Sequence, residues 1–233
     1  MHLLIDADPV CYAASAVHEA DGEEWAIVEA SSILQGYLAD TQATSFKVYL
    51  SGDTNFRNEI FPEYKANRIG KPKPIHLRAV KEAVFRQWDA VLSAGCEADD
   101  LIAMAQTKDT CICSVDKDFN QVAGHHYHPG IKRNNEYIRQ PGFYDVSEAE
   151  ALYNLYYQIL IGDTSDNIKG APGIGPKKAE NILMGCETEW DYYQSILPFF
   201  SCEEELLLNA RCVYLWRKPN DLWKPPVDPS TLA

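Results

Sequence analysis

The stretch "HLLIDAD", residues 2–8, is a short apolar run that ends in acid and is followed by Pro9. The pattern returns in "SFKVYLSGD" (45–53), which closes on Asp53, and in "TCICSVDKD" (110–118), which closes on Asp116 and Asp118. Short apolar, β-branched runs bounded by turn residues read as buried strands. Between them, 26–38, 75–92 and 98–106 carry apolar residues at helical spacing. Strands alternating with helices predict an α/β fold with a mostly parallel central sheet flanked by helices. Ligands of such sheets bind beyond the carboxyl ends of the strands. Three strands ending in Asp therefore predict one carboxylate-lined edge.

Further acids join that set. "CEADDLIA" (96–103) crowds Glu97, Asp99 and Asp100 ahead of the apolar pair Leu101-Ile102, and "GDTSD" (162–166) adds Asp163 and Asp166. Acids in the first turn of a helix favour its positive end, which describes part of what Asp99 does but not the whole set. Taken singly, Asp6, Asp53 or Asp116 reads equally well as a polar residue closing a strand into a turn. Together, so many carboxylates repel unless cations compensate. Oxygen ligands without His or Cys point to Mg²⁺ or Mn²⁺. The number of acids exceeds the needs of one ion and suits two, about 3.5–4 Å apart, as in phosphodiester hydrolysis. Asp8 stands outside the set, as the cap of a helix after Pro9.

With 233 residues, 46% hydrophobic and 24% charged, the chain has room for one large domain or a core domain with an appendage. No apolar stretch is long enough to span a membrane, and "MHLLIDADPV" reads as a strand rather than a signal peptide. A cytoplasmic protein with no membrane partner is expected. The seven cysteines are odd in number and form no CxxC pair, so burial as small hydrophobes is expected. "GHHYHP" (124–129) places His126 and His128 on one strand face, without the spacing of a zinc site. The net charge of −13 argues against a simple nucleic-acid binder. Its distribution says more: residues 57–86 carry eight bases and three acids, whereas 1–56 carry nine acids and one base, and 87–166 carry thirteen acids and five bases.

That basic segment follows Asp53 directly. Lys65 and Arg68, three apart, are expected on one helix face as a clamp on a phosphate, with Tyr64 stacking on a terminal base. Lys71, Lys73 and Arg78 are candidates to track the DNA backbone, and Arg57 is a further DNA-binding candidate. A second signal is "GAPGIGPKKA" (170–179), where Gly173 and Gly175 expose backbone amides to phosphate and Lys177 and Lys178 add charge. It stands between helical segments, as a helix–hairpin–helix does. Ser147 and Glu150 have capping-box spacing at the start of "SEAEALYNLYYQIL", and 188–197 and 202–216 read as helices. The expected organisation is an α/β core over 1–146 that includes the basic segment 57–86. A helical DNA-binding region over 147–218 and a Pro-rich tail over 219–233 follow.

Four stretches now carry a name. "PEYKANR" (62–68), "CEADDLIA" (96–103), "SVDKDF" (114–119) and "GDTSDNIKGAPGIGPKKA" (162–179) together resemble the 5′-nuclease superfamily of flap endonucleases and 5′→3′ exonucleases. The closing "ARCVYLWRKP" and the size look most like the stand-alone exonucleases of short-tailed bacteriophages. The resemblance implies a PIN-like core and a metal-dependent 5′→3′ exodeoxyribonuclease acting on duplex DNA with 5′ ends, nicks or flaps, and on RNA in RNA–DNA hybrids. It implies Asp6, Asp53, Glu97, Asp99 and Asp100 around a first Mg²⁺, and Asp116, Asp118 and Asp163 around a second, with Asp166 close by. Lys65 and Arg68 match the basic gateway, and the 170–178 hairpin matches a duplex-binding element whose carbonyls hold K⁺.

Departures are visible as well. Gln158 stands where some relatives have a lysine, and the span from Pro62 to Glu97 is short and interrupted by "GKPKP" (70–74). The short gateway favours exonuclease action over flap threading. A monomer acting in the cytoplasm of a phage-infected bacterium is expected, without an attached polymerase. The competing readings are a structure-specific flap endonuclease, an RNA nuclease on a similar core, and a catalytically silent DNA-junction-binding module.

Overall fold

The structure, a computed structural model, describes residues 1–133 and 136–231. In chain order the elements begin with β1 (His2–Asp6), α1 (Asp8–Val17), α2 (Glu23–Thr41), β2 (Ser45–Leu50), α3 (Phe56–Ile60) and α4 (Leu77–Gln87). Next come β3 (Val91–Leu92), α5 (Ala98–Ala105), β4 (Thr110–Cys113), β5 (Gly124–His128), β6 (Ile131–Arg133), β7 (Glu136–Arg139) and β8 (Gly142–Val146). Four helices follow: α6 (Glu148–Ile161), α7 (Pro176–Leu183), α8 (Glu189–Ile196) and α9 (Glu203–Val213).

These elements form two compact units. A sheet unit takes Met1–Asn55, Gly70–Phe119 and Gly124–Asp145, and a helical unit takes Phe56–Ile69, Asn120–Ala123 and the chain from Val146 on. The first part of the basic segment, expected within the α/β core, thus belongs to the helical unit.

In the sheet unit the strand order is β3-β2-β1-β4-β5-β8, and β1 pairs in parallel with both β2 and β4. Period-two alternation sends Leu3, Ile5, Val48, Leu50, Cys111 and Cys113 to one face. There they form a buried core with Val10 and Ala14 of α1, Ala30 and Leu34 of α2, and Val80 and Val84 of α4. Leu4 and Ile112 point the other way and are equally buried, as is Ile102 of α5. Cys111 and Cys113 are thus core residues, and burial pushes the Cys111 thiol up to about 12. The helix expected over 75–92 stops at Gln87, because Asp89 turns into the left-handed region (φ 46°) and releases the chain into β3. β6 and β7 pair antiparallel as a separate ribbon.

The helical unit is built on α6, whose capping box closes as expected between Ser147 and Glu150. Its core gathers Leu155, Tyr156, Ile159, Leu183, Tyr192, Ile196, Leu206 and Val213. Trp223 joins that core, edge-on to Tyr156, so the expected tail is packed as far as this residue. Among the described residues, no helix is long and apolar enough to cross a membrane.

Candidate active site

The chain runs from β1 outward through β2 to β3, then returns to β4 on the other side of β1. The β1/β4 crevice is therefore a topological switch point, where open α/β sheets bind ligands. Asp6 is the last residue of β1 and is only 4% exposed. The Ser114 hydroxyl, just past β4, donates to Asp6 Oδ2 at 2.8 Å and accepts the Asp116 N–H at 3.0 Å. Asp116 Oδ1 in turn accepts the Asp118 N–H at 2.8 Å. One hydrogen-bonded chain thus spans the ends of two adjacent strands. Burial first, then the nearby Asp8 and Asp116 carboxylates, push Asp6 up to about 7.

The next stretch of the edge is held by backbone. The Ser51 hydroxyl accepts the Ala98 N–H at 3.0 Å, and Gly52 N–H donates to Ser93 Oγ at 3.1 Å. The end of β2 and the start of α5 are thereby fastened together. Capping at α5 is real and falls on two residues. Glu97 and Asp100 form a reciprocal box, with Glu97 N–H donating to Asp100 Oδ2 at 3.0 Å. Asp100 is fully buried, whereas Asp99, to which sequence assigned the capping, is half-buried in the first turn. Asp53 is exposed in the loop after β2. Asp8 does not cap α1: its carboxylate accepts the Ser51 N–H at 2.9 Å and pairs with Lys81 at 2.8 Å, while Ala7 takes the N-cap position.

Other expected site residues lie in the helical unit. Asp163, 8% exposed, folds the following turn by accepting Ser165 N–H at 2.7 Å and Ser165 Oγ–H at 2.6 Å. Asp166 receives Tyr64 O–H at 2.7 Å and Arg68 Nη2 at 2.5 Å, with Lys65 Nζ at 3.6 Å. Lys65 and Arg68 do converge, but not along a helix face. Lys65 sits in the left-handed region (φ 55°) before a single 3-10 turn, Ala66–Arg68, in a segment broken by Pro62 and Gly70.

Tyr64 is 5% exposed in the core, with its ring beneath Lys65 Nζ, so it does not offer a face to a terminal base. Arg57 is also corrected: 1% exposed, it donates from Nε to the Cys212 carbonyl and from Nη2 to the Tyr214 carbonyl, each at 2.8 Å. It is a structural residue rather than the DNA contact expected from sequence. Lys71 and Lys73 are exposed in the sheet unit.

The glycine-rich turn has the expected form. Gly173 takes φ 72°, Gly175 is the N-cap of α7, and Pro176 opens the helix. Lys177 is exposed, while Lys178 Nζ donates to the Gly173 carbonyl at 2.9 Å, placing a cation on one of the hairpin's carbonyls. Gln158 accepts from Gln121 Nε2 at 2.9 Å, and Gln121 also reaches the Val213 carbonyl and Leu215 N–H. His126 stacks on Tyr144, and His128 accepts the Gly130 N–H at 3.0 Å. Ser114 and Gln121 escaped sequence reasoning. Neither carries charge, and only the position of Ser114 within "SVDKDF" marks it.

The sequence profile described as "5′-3′ exonuclease, N-terminal resolvase-like domain" matches residues 1–148. The chain belongs to the 5′-3′ exonuclease family. Among curated relatives, "Flap endonuclease Xni" of Vibrio parahaemolyticus is 34% identical over 144 residues, covering 58% of this chain and 55% of that protein. The chain thus spans about half the length of that relative. The Aeromonas hydrophila protein of the same name is 31% identical over 208 residues, 77% of this chain and 74% of its own. The T5 D15 protein, co-crystallised with metal ions, superimposes with a TM-score of 0.68 at 18% identity over 92% of this chain and 89% of its own. That likeness bears out the mostly parallel, helix-flanked fold.

Proposed function

We propose that this protein is a divalent-metal-dependent 5′→3′ exodeoxyribonuclease that hydrolyses duplex DNA from 5′ ends. The observation that carries this reading is the switch-point edge. A buried Asp6 is tied through Ser114 to Asp116, in a chain of the 5′-3′ exonuclease family. The donor chemistry of that edge fits a hard divalent cation. Its side chains are carboxylates, and what raises Asp6 is burial and two neighbouring negative charges, both of which a cation offsets. Among the described residues, no three His, Cys, Asp or Glu side chains form a ready-made cage. Mg²⁺ does not need one, because it uses one or two carboxylates and keeps several waters.

In this reading Asp6, Asp53, Glu97, Asp99, Asp116 and Asp118 of the sheet unit would hold two Mg²⁺ or Mn²⁺ ions. Bound there, the ions would polarise the phosphodiester and neutralise its charge. The chain's own residues do the rest. Ser114 fixes the Asp6 and Asp116 carboxylates, and the Glu97–Asp100 box holds the start of α5. Lys65 and Arg68 supply positive charge to a phosphate. The amides at the start of α7 and Lys177 grip the duplex backbone, which positions the substrate without reading sequence. RNA strands in RNA–DNA hybrids fall within the same phosphate chemistry. A K⁺ ion at the hairpin would share the Gly173 carbonyl with Lys178.

A flap endonuclease is the second reading, favoured by the names of the curated relatives. Against threading of a flap, the chain between Ile60 and Leu77 forms only the three-residue turn Ala66–Arg68. Incubating a 5′-labelled blunt duplex and a matched 5′-flap duplex with Mg²⁺ separates the readings. Mononucleotides released from the blunt end are the expected result. Cutting confined to the flap junction selects the second reading, and DNA binding without cutting selects the silent module.

A further inference from the structure

We infer that Asp166 is a positioning residue that holds Lys65 and Arg68 in place, and is not a ligand of the metals. Both carboxylate oxygens are already engaged. Oδ2 accepts the Tyr64 hydroxyl at 2.7 Å and faces Lys65 Nζ at 3.6 Å, and Oδ1 accepts Arg68 Nη2 at 2.5 Å. The side chain is 15% exposed, against 27% for Lys65 and 50% for Arg68. The anchor is therefore inside and the cations reach outward. A carboxylate compensated by two cations and a phenol donor has little charge left to offer a metal.

The backbone repeats the arrangement. Lys65 N–H donates to the Asp166 carbonyl at 2.9 Å, and Arg68 Nε donates to the Ser165 carbonyl at 3.0 Å. Asn67 Nδ2 reaches the Thr164 carbonyl at 2.7 Å, and Asn167 Nδ2 reaches the Glu63 carbonyl at 2.8 Å. The segment 63–68 is too short and too interrupted to order itself. It is laced instead to the 164–167 turn, with Asp166 at the centre. Asp163 starts that turn and Asp166 closes it, so two acids three residues apart carry different roles.

For its functional consequence the inference rests on the nuclease reading; for its structural content it does not, and the test separates the two. In Asp166→Asn, limited trypsin digestion followed by mass spectrometry should release new termini at Ala66 and Ile69 about tenfold faster than in the unaltered chain. Tyr64→Phe removes one donor without emptying the core. It should show a smaller change in the same direction, and it carries the test if Asp166→Asn fails to fold. In cleavage assays Asp166→Asn should raise KM for duplex DNA and lower kcat, with the Mg²⁺ needed for half-maximal rate within about twofold of normal. Combined with Arg68→Ala, it should add no further loss. Unchanged tryptic rates, or a roughly tenfold higher Mg²⁺ requirement at unchanged KM, would overturn the assignment. If the unaltered chain cuts no DNA, the nuclease reading fails while proteolysis still decides the role of Asp166.

Discussion

Arg57 shows how a residue's surroundings decide its role. Its guanidinium is buried, crosses the Phe56 ring at 4.6 Å from the centroid, and binds the carbonyls of Cys212 and Tyr214 at the end of α9. Arg57→Ala removes that donor from two carbonyls, and each buried polar group left unsatisfied costs about 1–3 kcal/mol. We expect a loss of roughly 2–5 kcal/mol in urea denaturation, with Arg57→Lys recovering only part of it, because an ammonium lacks the planar fork. Unchanged stability with weakened DNA binding would instead restore the DNA-binding role. The charge of segment 57–86 was legible in the sequence, but this use of Arg57 was not. Its partners lie some 155 residues away, and no local pattern announces them. Asp6 is the opposite case: a single acid ending an apolar run, with a position that follows from the strand alone.

At the scale of elements, the crossing of α6 with the loop before α7 depends on two glycines. Gly162 and Gly170 have φ of 69° and 68°, and their backbones touch. A Cβ on Gly170 would lie 2.4 Å from the Ile161 carbonyl carbon and 2.5 Å from the Gly162 nitrogen. Gly173 shares the positive φ, at 72°, but a Cβ there would meet nothing within 4 Å. Gly170→Ala should therefore lower Tm by several degrees more than Gly173→Ala, where the backbone penalty of about 1 kcal/mol stands alone. Equal shifts in thermal denaturation would mean that the packing at Gly170 relaxes freely. The strands β1, β2 and β4 and the helices α5 and α6 were legible because apolar period and capping residues agreed. β3 was hidden inside a helical pattern that runs past Gln87, since two residues carry too little signal. The expected helix through Lys65 and Arg68 failed for a different reason: contacts from the 164–167 turn, distant in sequence, set that backbone.

At the scale of the whole molecule, the charge of −13 must be reconciled with the anionic substrate proposed above. The residues from 87 to 166 carry eight more acids than bases and would repel phosphate, so the proposed activity is expected to depend on divalent ions for affinity as well as for cutting. Family and fold were both legible in the sequence, because the acids mark strand ends and the glycine-rich turn has its own spacing. The network through Ser114, the buried role of Asp100 and the contacts of Asp166 with Tyr64 and Arg68 were not, since they depend on packing between distant segments. The measurement that tests the account most directly is cleavage of a 5′-labelled duplex over a range of Mg²⁺ concentrations, by the unaltered protein and by Asp116→Ala. The account predicts mononucleotide release that EDTA abolishes and that Asp116→Ala slows by about 10²-fold or more. Cleavage that survives EDTA, or that Asp116→Ala leaves unchanged, would contradict it.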